Sequence, residues 1–189
     1  MIRIGILGDI GSGKSYVAKS FGYPVFNADR EVEKLYQTNK KIFNKLKKSL
    51  PKYINSFPID KKEILNAILT NKKNLSKIVK VVHLEVRKKM HIFLKKNKNK
   101  KIIILDIPLL LENKINHKND ILVYVQSEKK DVLKRLKLRK NFNQKLLKKF
   151  KSIQLSNSFK KKKSQFIIKN DFTKKSVRNS IKDILKVII

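Results

Sequence analysis

The chain reads as an α/β protein built on a parallel five-stranded sheet flanked by helices. Three observations carry this reading. Apolar runs of strand length recur from the first residues almost to the last. Helical patterns separate most of these runs, as a parallel sheet with right-handed crossovers requires. All five glycines, Gly5, Gly8, Gly11, Gly13 and Gly22, fall in the opening 22 residues, where a strand gives way to a helix.

The elements follow in order. "IRIGIL" (2–7) is a buried strand that leads into a glycine loop and a helix running to about Phe21. "PVFN" (24–27) is a short second strand, followed by a helix with Glu31, Glu33, Leu35 and Tyr36. Residues from about 40 to 100 break the alternation and read as helices alone. The longest of these carries Leu75, Ile78, Val82, Val86, Met90 and Phe93 at helical spacing, and Pro51 and Pro58 mark turns. "KIIILDI" (101–107) is nearly continuous in apolar residues, the pattern of a parallel strand covered on both faces. "DILVYV" (120–125) is the fourth strand, and Ser127 reads as the N-cap of the helix "EKKDVLKRLKLR". "QFIIKN" (165–170) is the fifth. A last amphipathic helix presents Val177, Ile181, Ile184, Leu185 and Ile188 on one face.

A length of 189 residues suits a single domain with a sizeable core, here with a helical insertion. The absence of cysteine excludes a disulfide framework, a thiolate zinc site and a thiol nucleophile, and it fits a reducing cytoplasm. No stretch reaches the roughly 18 apolar residues of a membrane span, and the first residues lack a secretory signal pattern. A cytoplasmic setting is expected, with no membrane partner, as a monomer or weak homo-oligomer.

The formal net charge of +34 admits two readings. One is a surface for nucleic acid. The other is drift toward lysine at surface positions, since only six of the 48 basic residues are arginine. Base readout favours arginine, and the lysine runs at 95–101 and 160–163 carry no interleaved aromatics for stacking. No specific nucleic-acid partner is expected, although a positive field draws anionic substrates.

The glycines have a purpose in "GDIGSGKS", Gly8 to Ser15, which satisfies G-x-x-x-x-G-K-S between a strand and a helix. Glycines let consecutive N–H groups curl around phosphate oxygens, and the helix start adds its positive dipole end. Lys14 is placed for the β and γ phosphates and Ser15 for Mg²⁺. This is a P-loop, and a nucleoside triphosphate is the expected ligand. Asp106 ends the third strand, the acidic position expected near Mg²⁺. Ile107 and Pro108 follow it where a motor ATPase would have a water-activating glutamate. The guanine-reading N-K-x-D is absent, "HKND" (117–120) being the nearest string. Transfer to a bound acceptor remains, chemistry that uses a carboxylate at the acceptor and arginines over the spreading charge. Asp29, after the second strand, is either that carboxylate or a cap for the next helix. Arg135 and Arg139 sit four apart on one helix face, which places them to act together on a triphosphate, the plain alternative being a solvated basic face.

The chain resembles the dephospho-CoA kinase family nearly end to end. "DIPLLLE" (106–112) is similar to that family's D-V-P-L-L-F-E, and "GDIGSGKSYVAKSF" to its G-G-I-G-S-G-K-S-T-V-A opening. "VFNADREV" resembles its D-A-D segment, "VVHLEVRKKM" its H-P-x-V-R helix, "VLKRLKLR" and "FKSIQLS" its lid arginines and following glutamine, and "FIIKND" its V-I-x-N strand. Departures from the pattern are Asp9 for glycine, Tyr16 for threonine, Asn27 for the first aspartate of D-A-D, and Leu84 for proline after His83.

The resemblance implies ATP-dependent phosphorylation of the ribose 3′-hydroxyl of dephospho-CoA, the last step of coenzyme A synthesis; the alternatives are a P-loop kinase for another nucleoside or nucleotide acceptor and a nucleic-acid-binding P-loop ATPase. It implies the five-stranded sheet of nucleoside monophosphate kinases, with Mg²⁺ as cofactor. Gly11, Ser12, Gly13, Lys14, Ser15 and Tyr16 would hold ATP, with Ser15 and Asp106 at the metal. Asp29 would take the proton from the acceptor hydroxyl, with Lys14 and Arg139 also serving the transfer. Arg135 and Arg139 would lie over the triphosphate. His83, Arg87, Pro108, Leu109, Leu110 and Glu112 would line the acceptor pocket, although a histidine placed like His83, at the edge of an apolar helix stripe, is on its own more often a packed core residue. The core would comprise 1–39, 101–135 and 155–189, the acceptor-binding insertion about 40–100, and a short lid about 136–154.

Overall fold

In the computed structural model, residues 1–139 and 142–189 are described. Positions 140 and 141, inside the expected lid, lie outside them. The chain divides into two compact units.

The first unit comprises Met1–Asn27, Asn97–Phe142 and Ile153–Ile189. Its strands are β1 (Ile2–Gly8), β2 (Val25–Asn27), β3 (Ile102–Asp106), β4 (Ile121–Gln126) and β5 (Phe166–Lys169), and its helices α1 (Lys14–Ser20), α6 (Lys129–Lys137), α8 (Asn157–Lys163) and α9 (Lys174–Ile188). The strands form one parallel sheet in the order β2-β3-β1-β4-β5. The five expected strands are all present. β3 is buried at every residue, which accounts for its unbroken apolar run. Strand alternation sends Ile4, Ile6, Ile102, Ile104, Val123, Val125 and Ile168 to one face. There they meet Val17, Ala18 and Phe21 of the α1 segment and Val177, Ile181 and Ile184 of α9. Burying such side chains stabilises by about 1.5–3 kcal/mol each, so this layer holds the sheet and its loops in place. β1 is central and β3 is its neighbour, paired through Gly5 and Leu105, so the loop after β1 and Asp106 emerge at the same end of the sheet. Ligands of open α/β sheets bind at that carboxyl end.

The second unit comprises Ala28–Lys96 and Asn143–Ser152. It contains α2 (Ala28–Thr38), α3 (Lys40–Ser49), α4 (Lys61–Thr70), α5 (Lys72–Lys96) and α7 (Gln144–Lys151), with no strand among its described residues. Asn39, Asp60 and Asn143 cap α3, α4 and α7 by accepting from Ile42, Lys62 and Leu146 N–H groups. Lys149 donates to the Ile68 and Leu69 carbonyls at 2.7 and 2.6 Å, satisfying acceptors left over at the end of α4. α5 buries Leu75, Ile78, Val82, Val86 and Met90 of the expected stripe, whereas Phe93, near the end of the helix, is half-buried. Its 25 residues are interrupted by charge, and among the described residues no helix is long and apolar enough to cross a membrane.

Candidate active site

The glycine loop joins β1 to α1. Gly11 and Gly13 take left-handed φ values of 85° and 91°, which glycine adopts without steric cost. Space enforces the same choice. A Cβ at Gly11 would press on Val132 and Leu136 of α6 at 3.0 Å, and one at Gly13 would overlap the Asn170 amide. Gly13 opens α1, and no side chain caps the helix start. The Lys14 ammonium donates to the Gly8 and Asp9 carbonyls at 3.2 and 2.8 Å, so it lies along the loop itself. The Asp9 carboxylate accepts from the Ile10 N–H at 2.7 Å. Burial, and then the charge of Asp9, push the Tyr124 phenol above its ordinary 10.0.

Two ties fix the middle of the loop. The Ser12 carbonyl accepts from Ser127 Oγ at 2.9 Å and from Asn170 Nδ2 at 2.8 Å, so the ends of β4 and β5 both hold it. Ser12 is 1% exposed, and its own hydroxyl has no hydrogen-bond partner in the structure. The expectation for Ser127 is thereby corrected. Glu128 occupies the N-cap of α6 without a side-chain cap bond, because the Ser127 hydroxyl is spent on Ser12 instead.

Asp106 is 2% exposed at the end of β3, and its Oδ2 accepts a 2.5 Å hydrogen bond from Asn27 Nδ2 on β2. Ser15 and Tyr16 are exposed in the first turn of α1. Mg²⁺ takes hard oxygen donors, commonly one or two from protein and the rest from phosphates and water. The hydroxyl of Ser15 and the carboxylate of Asp106 are donors of that kind. Among the described residues no group of three or more His, Asp or Glu could hold a metal unaided, so a cation here would depend on the nucleotide for further ligands.

Arg135 lies in the last turn of α6, its guanidinium carbon 4.4 Å from the centroid of the Phe172 ring. Arg139 falls beyond the helix, which ends at Lys137 with Leu138 as C-cap. The expectation of two arginines on one helix face is corrected accordingly. The final turn tightens as the Arg139 N–H bonds the Leu136 carbonyl three residues back, a common way of using up terminal acceptors. Both arginines are exposed.

The segment after β3 is a run of turns. Pro108 and Leu109 are half-buried, whereas Leu110 is wholly buried, in a position where a Cβ on Gly5 would strike it. Glu112 turns inward. Its Oε1 accepts from Lys160 Nζ at 2.9 Å and from the Leu155 N–H at 2.9 Å, and Lys160 also donates to Gln154 at 3.2 Å.

In the helical unit, Asp29 is exposed in the first turn of α2. His83 and Arg87 are one turn apart on α5, both half-buried. Burial, and then the Arg87 guanidinium, lower the His83 pKa below its ordinary 6.5, which favours neutral imidazole. Its Nε2 is buried without a hydrogen-bond partner.

The residues that sequence reasoning passed over are Asn170, Phe172 and Lys160. Asn170 ends "FIIKN", and an asparagine closing a buried strand is a signal for a side-chain tie. Phe172 and Lys160 gave none, since one stands in a polar turn and the other in a lysine run.

A family model described as dephospho-CoA kinase matches residues 2–176. The dephospho-CoA kinase of Wolbachia sp. subsp. Brugia malayi (strain TRS) is 34% identical over 187 residues, covering 96% of this chain and 95% of the relative. Among solved structures, TT1252 from Thermus thermophilus superposes with a TM-score of 0.75 at 23% identity, covering 100% of this chain and 98% of that one. The dephospho-CoA kinase from Campylobacter jejuni does so with a TM-score of 0.61 at 24% identity, covering 98% and 96%. These two likenesses show the fold.

Proposed function

The chain belongs to the dephospho-CoA kinase family, and from that premise we propose how its own residues divide the work of phosphorylating dephospho-CoA with ATP. The loop amides between Gly11 and Tyr16 take the triphosphate, with Lys14 moving from the loop carbonyls onto the β and γ phosphates. Ser15 and Asp106 are the groups we assign to hold Mg²⁺. When bound with ATP, that ion neutralises charge on the transferring phosphoryl group.

Asp29 is the base we assign to the ribose 3′-hydroxyl. A carboxylate beside the hydroxyl receives its proton as the oxygen bonds to the γ-phosphorus of ATP, whose bond to the β–γ bridging oxygen breaks and leaves ADP. Arg139, and Arg135 with it, supply positive charge over the triphosphate as negative charge spreads onto its oxygens. On the acceptor side, His83, Arg87, Pro108 and Leu109 are the proposed contacts. Neutral His83 supplies a hydrogen bond, and Arg87 supplies charge for an anionic substrate. Leu110 supports Pro108 and Leu109 from the core, and Glu112 fixes the end of their segment through Lys160.

The observation that carries the nucleotide half is the doubly tied Ser12 carbonyl. Side chains from two strand ends fix the middle of the loop, the kind of placement that preorganised charge stabilisation uses. The assignment of Asp29 is tested by Asp29→Asn. The expected result is a fall in kcat of at least about 100-fold with the affinity for ATP unchanged. Near-normal kcat would return Asp29 to a purely structural role.

A further inference from the structure

We propose that Phe172 is a positioning residue that holds the Arg135 guanidinium at the nucleotide loop. The proposal deepens the reading above and rests on its assignment of that loop to ATP and of Arg135 to the triphosphate.

The backbone supplies the first observation. Phe172 sits at φ 66°, in the left-handed region that bulky side chains seldom adopt and that usually falls to glycine or asparagine. A strained aromatic residue persists where its surroundings hold it there. The Phe172 N–H donates to Asn170 Oδ1 at 3.0 Å, and the same Asn170 amide donates to the Ser12 carbonyl. One asparagine therefore locks both the phosphate loop and the unusual backbone of Phe172.

The ring supplies the second observation. Its face carries Arg135 at 4.4 Å, and its Cε1 lies 3.5 Å from the point where Gly13 would bear a Cβ. A single side chain thus spans from the start of α1 to the last turn of α6. Arginine is a long side chain with much rotamer freedom, and it is exposed here. Stacking on an aromatic face restricts that freedom and leaves the N–H groups at the guanidinium edge available to phosphate oxygens. The following residue, Thr173, caps α9 by accepting from the Ser176 N–H, so a left-handed residue is useful for entry to that helix. Glycine would serve such an entry without strain. The ring is what glycine would lack.

The test reads ATP binding by calorimetry with Mg²⁺, without acceptor, beside thermal unfolding. Phe172→Gly relieves the backbone and removes the ring. The expected result is an unchanged or higher Tm together with ATP binding weakened about five-fold. Phe172→Leu weakens binding to a similar degree, and Phe172→Tyr restores it. Adding Phe172→Leu to Arg135→Met gives no further loss, because the ring acts only through the arginine. ATP binding by Phe172→Gly within about two-fold of the unaltered chain would overturn the proposal, as would additive losses in the double variant. The acceptor assignment fails separately. A chain that binds ATP in this ring-dependent way yet forms no ADP with dephospho-CoA upholds the proposal and overturns that assignment, and a chain that does not bind ATP overturns both.

Discussion

Asn27 and Asp106 face each other as Cα partners in the parallel β2–β3 pairing, and the amide of one donates to the carboxylate of the other at 2.5 Å. The family this chain resembles carries an aspartate at the position of Asn27. The amide here supplies a donor where a second carboxylate would supply like charge, and it holds Asp106 in place. Asn27→Asp is therefore expected to create a pair that shares one proton between its members. Such a pair binds more protons folded than unfolded, so it costs stability progressively as pH rises. Thermal unfolding of the variant against the unaltered chain should show a deficit that grows by about 1–2 kcal/mol from pH 5 to pH 8. A deficit that does not change with pH would contradict this.

Lys160 and Glu112 form an ion pair whose side chains are only 1% and 9% exposed. Taking away one partner leaves a buried charge without compensation. Lys160→Met should destabilise by about 3–5 kcal/mol in denaturant unfolding, and Lys160→Met with Glu112→Leu should recover most of the loss. A double variant as unstable as the single one would show that the pair does more than neutralise itself.

His83 has its pKa lowered by burial first and by Arg87 second. Its folded pKa lies below the unfolded value near 6.5, so the unfolded chain binds the extra proton as pH falls. The contribution of this group is present in full above 6.5 and is lost on acidification from there toward its folded pKa. An NMR titration of the His83 ring should give a midpoint below 6.5, and Arg87→Met should raise that midpoint part of the way back. No movement in Arg87→Met would remove the arginine from the explanation.

These relationships also mark how far the sequence could be read. The unbroken apolar run 102–105, the stripe Leu75 to Met90 and the loop Gly8 to Ser15 each declare themselves through local spacing, and all three elements form where spacing puts them. What stayed hidden depends on distant partners. Ser127 has the local context of a helix cap, yet its hydroxyl serves Ser12, 115 residues away. Asn170 reaches the same carbonyl across 158 positions. Lys160 stands in the run 160–163, which reads as solvated charge, but α8 packs against β1 and β4 and turns this one lysine inward. Arg139 failed the helix-face reading because α6 tightens and ends before it.

The measurement that bears most directly on the central claim is ADP formation by the purified chain with MgATP, with and without dephospho-CoA. Turnover should depend on the acceptor, yield one phosphorylated acceptor per ADP, and fall at least about 100-fold in Lys14→Ala. ATP turnover at the same rate whether or not dephospho-CoA is present would contradict it.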